Sequence, residues 1–172
     1  MASVARELGV TPMALYQHVT DKEHMLTLLL DAQLVPIQVR TDGPWDERLR
    51  DLHLQVTDAM ARFPGLRHHV PEPPSVGRLL DAYLQILMDA GFDDRTAAAA
   101  YTGLYYLAVG AQYPYHGVVT PAAEAPTDEQ FAATARAAAV VGDATRRELQ
   151  EFALDVHLDG LRQLLREQSR VS

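Results

Sequence analysis

Val4-Ala-Arg-Glu-Leu-Gly9-Val-Thr-Pro-Met-Ala-Leu-Tyr16-Gln-His-Val19-Thr-Asp-Lys22-Glu23 is the stretch on which the reading of the chain turns. Val4, Ala5 and Leu8 follow helical spacing, and a new apolar set begins with Val10, Leu15 and Val19. Gly9 falls just past the first set, where a glycine takes up the left-handed conformation that a β-carbon penalises. Pro12 suits the first turn of a second helix, where its missing N–H costs nothing, and Thr11 before it is an N-cap residue. Ala5 is small where the second helix must cross closely. Two short helices at a sharp angle about a glycine turn form a helix-turn-helix, whose second helix enters the DNA major groove. An ordinary helical hairpin fits these positions equally well.

The chain has 172 residues, 48% of them hydrophobic, enough to bury the core of one large or two small domains. That excludes a disordered chain or a fibre. No apolar run reaches the roughly 18 residues that span a bilayer, and no basic-then-apolar leader is present, so a soluble cytoplasmic protein with no membrane partner is expected. Cysteine is absent, which excludes a disulfide framework and any thiolate ligand or nucleophile. The net charge of −8 argues against nucleic acid as a partner for the whole surface, although only a docking face has to be positive. Residues 1–35 carry Arg6 and Lys22 against Glu7, Asp21, Glu23 and Asp31, so basic residues are scarce there too.

The remaining pattern is helical throughout, and the expected class is all-α. Thr20 with Glu23 reads as a capping box opening a helix through Met25, Leu28, Leu29 and Leu34, which Pro36 bends or ends. Residues 41–44 form a turn at which a domain boundary is placed. Leu49, Leu52, Val56, Ala59, Met60 and Phe63 share helical spacing. Prolines bar regular helix from 67–74, and Ser75 caps a helix holding Leu79, Leu80, Tyr83, Leu84 and Leu87, closed by Gly91. Asp93 opens a helix over 95–111 that is apolar on almost every side and must be covered accordingly. After a Pro/Ala loop at 118–127, Thr127 with Gln130 caps an alanine-rich helix ending at Gly142. In the last helix, about 145–167, Leu149, Phe152, Val156, Gly160 and Leu164 form one stripe, and Leu154, Leu158, Leu161 and Leu165 a second. One stripe seats the helix on its own domain; the other needs a further partner.

The ungapped run from Gly9 to Val19, with Leu15-Tyr16-Gln17-His18-Val19 and then Lys22, resembles the TetR family of one-component transcriptional repressors, in its tetracycline-repressor-like branch. The stretch from Phe152 to Leu161 is similar to the end of such chains. The resemblance implies a helix-turn-helix DNA-binding domain at 1–40, including the helix that connects onward, and a ligand-binding and dimerisation domain at 41–172. Family members have one more helix ahead of these two, so the DNA-binding domain is expected to be incomplete over 1–40: either that helix precedes the numbering, or the chain lacks it. Carried onto matching positions, DNA contact falls to Thr11, Pro12, Met13, Ala14, Tyr16, Gln17 and His18, with Lys22 on a phosphate. Gln17 can pair with an adenine edge, and Pro12 and Ala14 can touch a thymine methyl. The final helix and the one bearing Tyr101 to Tyr106 would form a four-helix dimer interface, with Leu149, Phe152, Val156, Gly160 and Leu164 facing the second copy.

A ligand pocket is the other candidate site. Leu52, Val56 and Met60 share one helix face, Leu80, Tyr83, Leu84 and Leu87 another, and Tyr101, Leu104 and Tyr105 come from the long apolar helix. Aromatic hydroxyls in an apolar wall orient small molecules, though the same residues read equally as plain core. His68 and His69 are taken as pocket-edge residues. Together with His116 they could suggest a metal, but adjacent histidines point apart and no acidic partner is matched to them, so no metal and no cofactor is expected. No phosphate loop, nucleophile elbow or paired carboxylates appear, and an enzyme is not expected. The resulting expectation is a homodimeric repressor on a near-palindromic double-stranded operator, released by an unknown small-molecule effector. The alternatives are a helical ligand-binding dimer without DNA binding, and a helical enzyme using the same pocket.

Overall fold

A computed structural model describes residues 1–63, 72–110, 132–141 and 146–171, all of whose regular structure is helical. The helices are α1 (Ala2–Glu7), α2 (Pro12–Tyr16), α3 (Lys22–Leu34), α4 (Trp45–Ala61), α5 (Pro74–Asp89), α6 (Asp94–Gly110), α7 (Ala132–Val141) and α8 (Arg146–Val171). This is the all-α class expected. Among the described residues no helix is long and apolar enough to cross a membrane. The capping pattern at 127–130, the loop at 118–127, Gly142, His68, His69 and His116 lie outside the described residues.

The chain divides into two compact units, Met1–Ala98 and Ala99–Ser172, so the first holds α4 and α5 as well as the segment 1–40. Its interior is made where α3, α4 and α5 pack on one another. Leu49, Leu52, Val56, Ala59 and Met60 on α4 meet Val76, Leu79, Tyr83, Ile86 and Leu87 on α5, and all are buried. Their spacing of three and four residues is what turns one stripe of each helix inward. Trp45 at the start of α4 stands edge-on to the buried Phe92, with ring centres 5.5 Å apart. Phe92 is brought there by a Schellman turn: Gly91 at φ +104° lets the Phe92 N–H reach the Leu87 carbonyl and the Gly91 N–H reach Met88.

Polar groups join the ends of α3 and α5 reciprocally. Asp31 of α3 accepts the backbone N–H of Ser75, in the first turn of α5, at 3.3 Å. Arg78 of α5 donates to the carbonyls of Leu34 (3.0 Å), Val35 (3.3 Å) and Ile37 (3.3 Å) at the end of α3. A carboxylate at a helix N-terminus and a guanidinium at a C-terminus both satisfy orphaned backbone groups and oppose the helix dipole. Past α3, the chain is pinned to α4: the Gln55 amide exchanges hydrogen bonds with the backbone of Gln38 (2.9 and 3.2 Å), and Arg48 donates to the Arg40 carbonyl.

Three local expectations are corrected. Asp21, not Thr20, caps α3, its carboxylate accepting the His24 N–H at 2.8 Å. Ser75 is not the cap of α5, because Pro73 and Pro74 open that helix; Ser75 sits one place inside, buried. The last helix continues to Val171 rather than stopping near Glu167.

Replacing Arg78 with alanine leaves the α3 carbonyls to water and removes charge-assisted bonds from a half-exposed site. A loss of about 1 kcal/mol is expected, seen as a lower urea midpoint at unchanged slope. Arg78→Lys, which cannot span three carbonyls, should recover only part of it.

Candidate nucleic-acid interface and ligand-facing helices

The first candidate site is built from backbone closures. Gly9 at φ +67° ends α1, its N–H reaching the Arg6 carbonyl (3.2 Å) and the Val10 N–H reaching Ala5 (2.9 Å). Ala5 is fully buried at the contact with α2. Thr11, extended at φ −75°, accepts the Ala14 N–H on Oγ1 at 3.1 Å, and Pro12 follows as the first helical residue. At the far end, the Thr20 hydroxyl donates to Asp21 Oδ2 and the Thr20 N–H to His24 Nδ1. The His24 N–H, foremost among several hydrogen bonds, holds the Asp21 carboxyl below the ordinary carboxylate range. This cluster sets the turn from α2 into α3 and leaves Lys22 exposed at the first position of α3.

Between those closures α2 has two faces. Leu15 and Ala14 are half-buried and Val19 is buried, while Thr11, Pro12, Met13, Tyr16, Gln17 and His18 are exposed. Met13 is 79% exposed and Tyr16 51%, high values for large side chains of this kind. Met13, Tyr16 and Gln17 lie three and four residues apart, which places them side by side on the outward surface. Gln17 is also the C-cap, so the regular helix is shorter than the 11–19 run that carries the pattern.

The candidate ligand residues are divided between the units. In the first, Leu52, Val56, Met60, Tyr83 and Leu87 are buried in the packing of α4 on α5, and Leu80 and Leu84 are half-buried. Sequence reasoning missed their polar companion, His53, which is buried beside Tyr83 with Oη and Nδ1 3.4 Å apart and the rings edge-on. Its signal was positional: His53 falls four residues after Leu49 and three before Val56, on the buried stripe of α4. Below it the buried Thr57 hydroxyl bonds the His53 and Leu54 carbonyls. In the second unit, Leu104 is buried and Tyr101 and Tyr105 are half-buried, their rings 6.4 Å apart. No group of three or more His, Asp or Glu that could hold a metal occurs among the described residues.

The two stripes of α8 separate cleanly. Leu154, Leu158 and Leu161 are buried, whereas Phe152 is 69%, Val156 57% and Leu164 45% exposed. Gly160 is exposed and Leu149 half-buried on that second face. Val156, Gly160 and Leu164 line an open groove whose polar edge includes Gln163 and Glu167. A β-carbon on Gly160 would meet nothing within 4 Å, so nothing the chain itself places there requires a glycine. Gly103 is the opposite case. Its absent β-carbon makes room for the His157 ring of α8, which would stand 2.5 Å away at Cε1, and His157 Nε2 lies 3.2 Å from the Ala100 carbonyl. Burial pushes the His157 imidazole below its ordinary value, and the Ala100 carbonyl offsets part of that.

Gly103→Ala should therefore cost about 1–2 kcal/mol by overpacking. In a His157→Ala background the sign should reverse, because alanine favours helix over glycine by about 1 kcal/mol; chemical denaturation of the four chains reads both. The depressed imidazole value has its own consequence. The unfolded chain takes up the proton first, so the His157 contribution is complete above the ordinary histidine value and is lost as pH falls below it. Melting temperature should drop over that interval in the natural chain more than in His157→Gln.

Comparison with known proteins gives a consistent picture. No protein-family model matches the chain. The tetracycline repressor protein class C of Escherichia coli is 31% identical over 115 residues, which are 63% of this chain and 52% of that protein. The chain thus spans about half the length of the curated relative it matches. Among solved structures, a possible TetR family transcriptional regulator from Streptomyces coelicolor A3(2) is similar with a TM-score of 0.72 and 25% identity, covering 95% of this chain and 88% of that one. The Streptomyces coelicolor TetR family protein ActR, in complex with actinorhodin, shares the fold with a TM-score of 0.74 at 19% identity, covering 96% and 87%.

Proposed function

We propose that this chain is a member of the TetR family of transcriptional regulators, a reading supported by its 31% identity to the tetracycline repressor protein class C and its 25% identity to a possible TetR family regulator of the same fold, and that it is a ligand-responsive repressor. A homodimer would set two α2 helices in successive major grooves of a near-palindromic operator, about 34–36 Å apart, and a small molecule would release it. The observation that carries the reading is the outward face of α2. A five-residue helix is too short to be stable alone, yet Gly9, Thr11 and Asp21 fix it from both ends while its largest side chains stand in solvent.

Thr11, Pro12, Met13, Ala14, Tyr16, Gln17 and His18 would meet the duplex. Lys22 supports the same reading for an electrostatic reason: a cation at the first position of a helix is repelled by the positive end of the dipole and adds nothing to folding, but it suits a phosphate. Residues 1–40 would form the DNA-binding part and 41–172 the ligand-binding and dimerisation part. Residues 52, 56, 60, 80, 83, 84 and 87 of the first unit remain proposed as ligand-facing, and His53 joins them as a polar group beside Tyr83; residues 101, 104 and 105 remain proposed as ligand-facing in the second unit, taken by itself. The exposed stripe Leu149, Phe152, Val156, Gly160 and Leu164 would close on its own counterpart, with Gly160 as the notch that admits a partner helix. ActR is a family member that holds a small molecule, actinorhodin. To move occupancy from 1:99 to 99:1 an effector must prefer the non-binding state by about 5.5 kcal/mol. The role involves no catalytic step, no cofactor and no membrane, and its place is the cytoplasm with the DNA.

The acidic balance of residues 1–35 favours one second reading, a helical small-molecule-binding dimer that does not bind DNA. Selection from a randomised double-stranded library separates the two. A repressor should enrich sites with half-site centres about one helical turn apart, at a stoichiometry of two chains per site; no enrichment at low salt would leave the second reading. Phe152→Asp with Val156→Asp should give monomers in sedimentation and weaken binding to the enriched site at least tenfold, whereas a dimer that survives both substitutions would remove α8 from the interface.

A further inference from the structure

We propose, resting on the repressor reading, that α2 reads A·T base pairs and does so chiefly through contact of the Met13 side chain with a thymine 5-methyl group. Guanine shows the major groove two acceptors, O6 and N7, and is recognised by the paired or charged donors of arginine and lysine. Residues 10–20 contain neither. Of the two cations nearby, Lys22 stands on α3, and Arg6 on α1, the helix that crosses the phosphate backbone in this motif. The groups that α2 does present suit the other base pair. Met13 is unbranched, polarisable and 79% exposed, so little of it is taken up by packing in the chain itself. Tyr16 stands one turn on at 51% exposure and widens the apolar surface. Gln17, next to it on the same face, has the donor and acceptor that match adenine N6 and N7. Ala14 is half-buried and its methyl short, so the outermost apolar contact falls to Met13.

The test removes single methyl groups from the DNA. In a site enriched from the randomised library, each thymine under α2 is replaced in turn by deoxyuridine, which lacks only the 5-methyl group. At one or two positions per half-site the affinity of the natural chain should fall about fourfold, the transfer free energy of one methylene. Met13→Ala should bind the unmodified site more weakly by a similar factor, lose that sensitivity at those positions, and keep the same dependence on salt. Its melting temperature should stay close to that of the natural chain, since the side chain is 79% exposed. Three results would overturn the inference while leaving repressor function intact: enriched half-sites with G·C pairs under α2, deoxyuridine tolerated without loss at every position, or equal losses in Met13→Ala. Failure to enrich any sequence would overturn the repressor reading and this inference with it.

Discussion

The exchange of helix ends between α3 and α5 is the constraint on which the first unit depends. Asp31 supplies an acceptor where α5 begins, and Arg78 supplies donors where α3 stops. Apolar packing alone would hold these helices at a distance and leave them free to slide, since a leucine stripe has several registers of similar energy. Backbone carbonyls and N–H groups occur only at particular points, so the two polar contacts fix one register. That matters beyond stability, because α3 carries at its other end the Thr20–Asp21–His24 cluster from which α2 is hung. One rigid helix thus has its start tied to the outward-facing segment and its end tied to α5. A shift of α5 that kept both contacts would be handed on to α2, and a shift that broke them would not.

Local closures do for α2 what length does for other helices. Thr11 and Gly9 determine its entry, and the capping of α3 determines its exit, so little of its orientation rests on buried area. The arrangement leaves the outer side chains free of structural duties. Met13 and Tyr16 can be chosen for what they touch outside the molecule, whereas Ala5 and Val19 cannot change without disturbing the crossing.

Much of this was legible in the sequence where the determinants are local. Gly9, Thr11-Pro12, Gly91 and Asp93 each act within a turn of their own position, and each behaves as its residue type demands. The two stripes of α8 were legible too, since periodicity assigns every residue to a face. Choosing between adjacent capping residues was harder: threonine and aspartate are both N-cap types, but here the Thr20 hydroxyl donates to Asp21 while the Asp21 carboxylate takes the His24 N–H. Ser75 misled because the prolines before it already occupy the helix start. Asp31 and Arg78 gave no sign of their roles, as their partners lie 44 residues away and backbone atoms have no sequence signature. Pocket and core could not be told apart for Leu52 or Tyr83, because an apolar wall and an apolar interior ask for the same residues. His53 has no signal beyond its place on the α4 stripe, and its partner Tyr83 lies 30 residues away.

Among the described residues, the outer face of α2 and the Phe152, Val156 and Leu164 stripe of α8 each hold a set of large apolar groups in water. A folded chain gains nothing from either, and stray hydrophobic residues on a surface need no explanation singly. These are not single. On α2 the exposed groups share one helix face; on α8 they recur every four residues around a glycine that the chain's own packing does not ask for. The α8 stripe is suited to a symmetric contact, where the notch of one copy receives a side chain of the other and the same patch serves both. A near-palindromic duplex has a two-fold axis of its own, so the proposed pair of chains would bring α2 twice to a target with matching symmetry. In the proposed dimer each chain would need only half the contacts, and a second copy making the same discrimination would square it, so that even a five-residue helix with few charges could be selective.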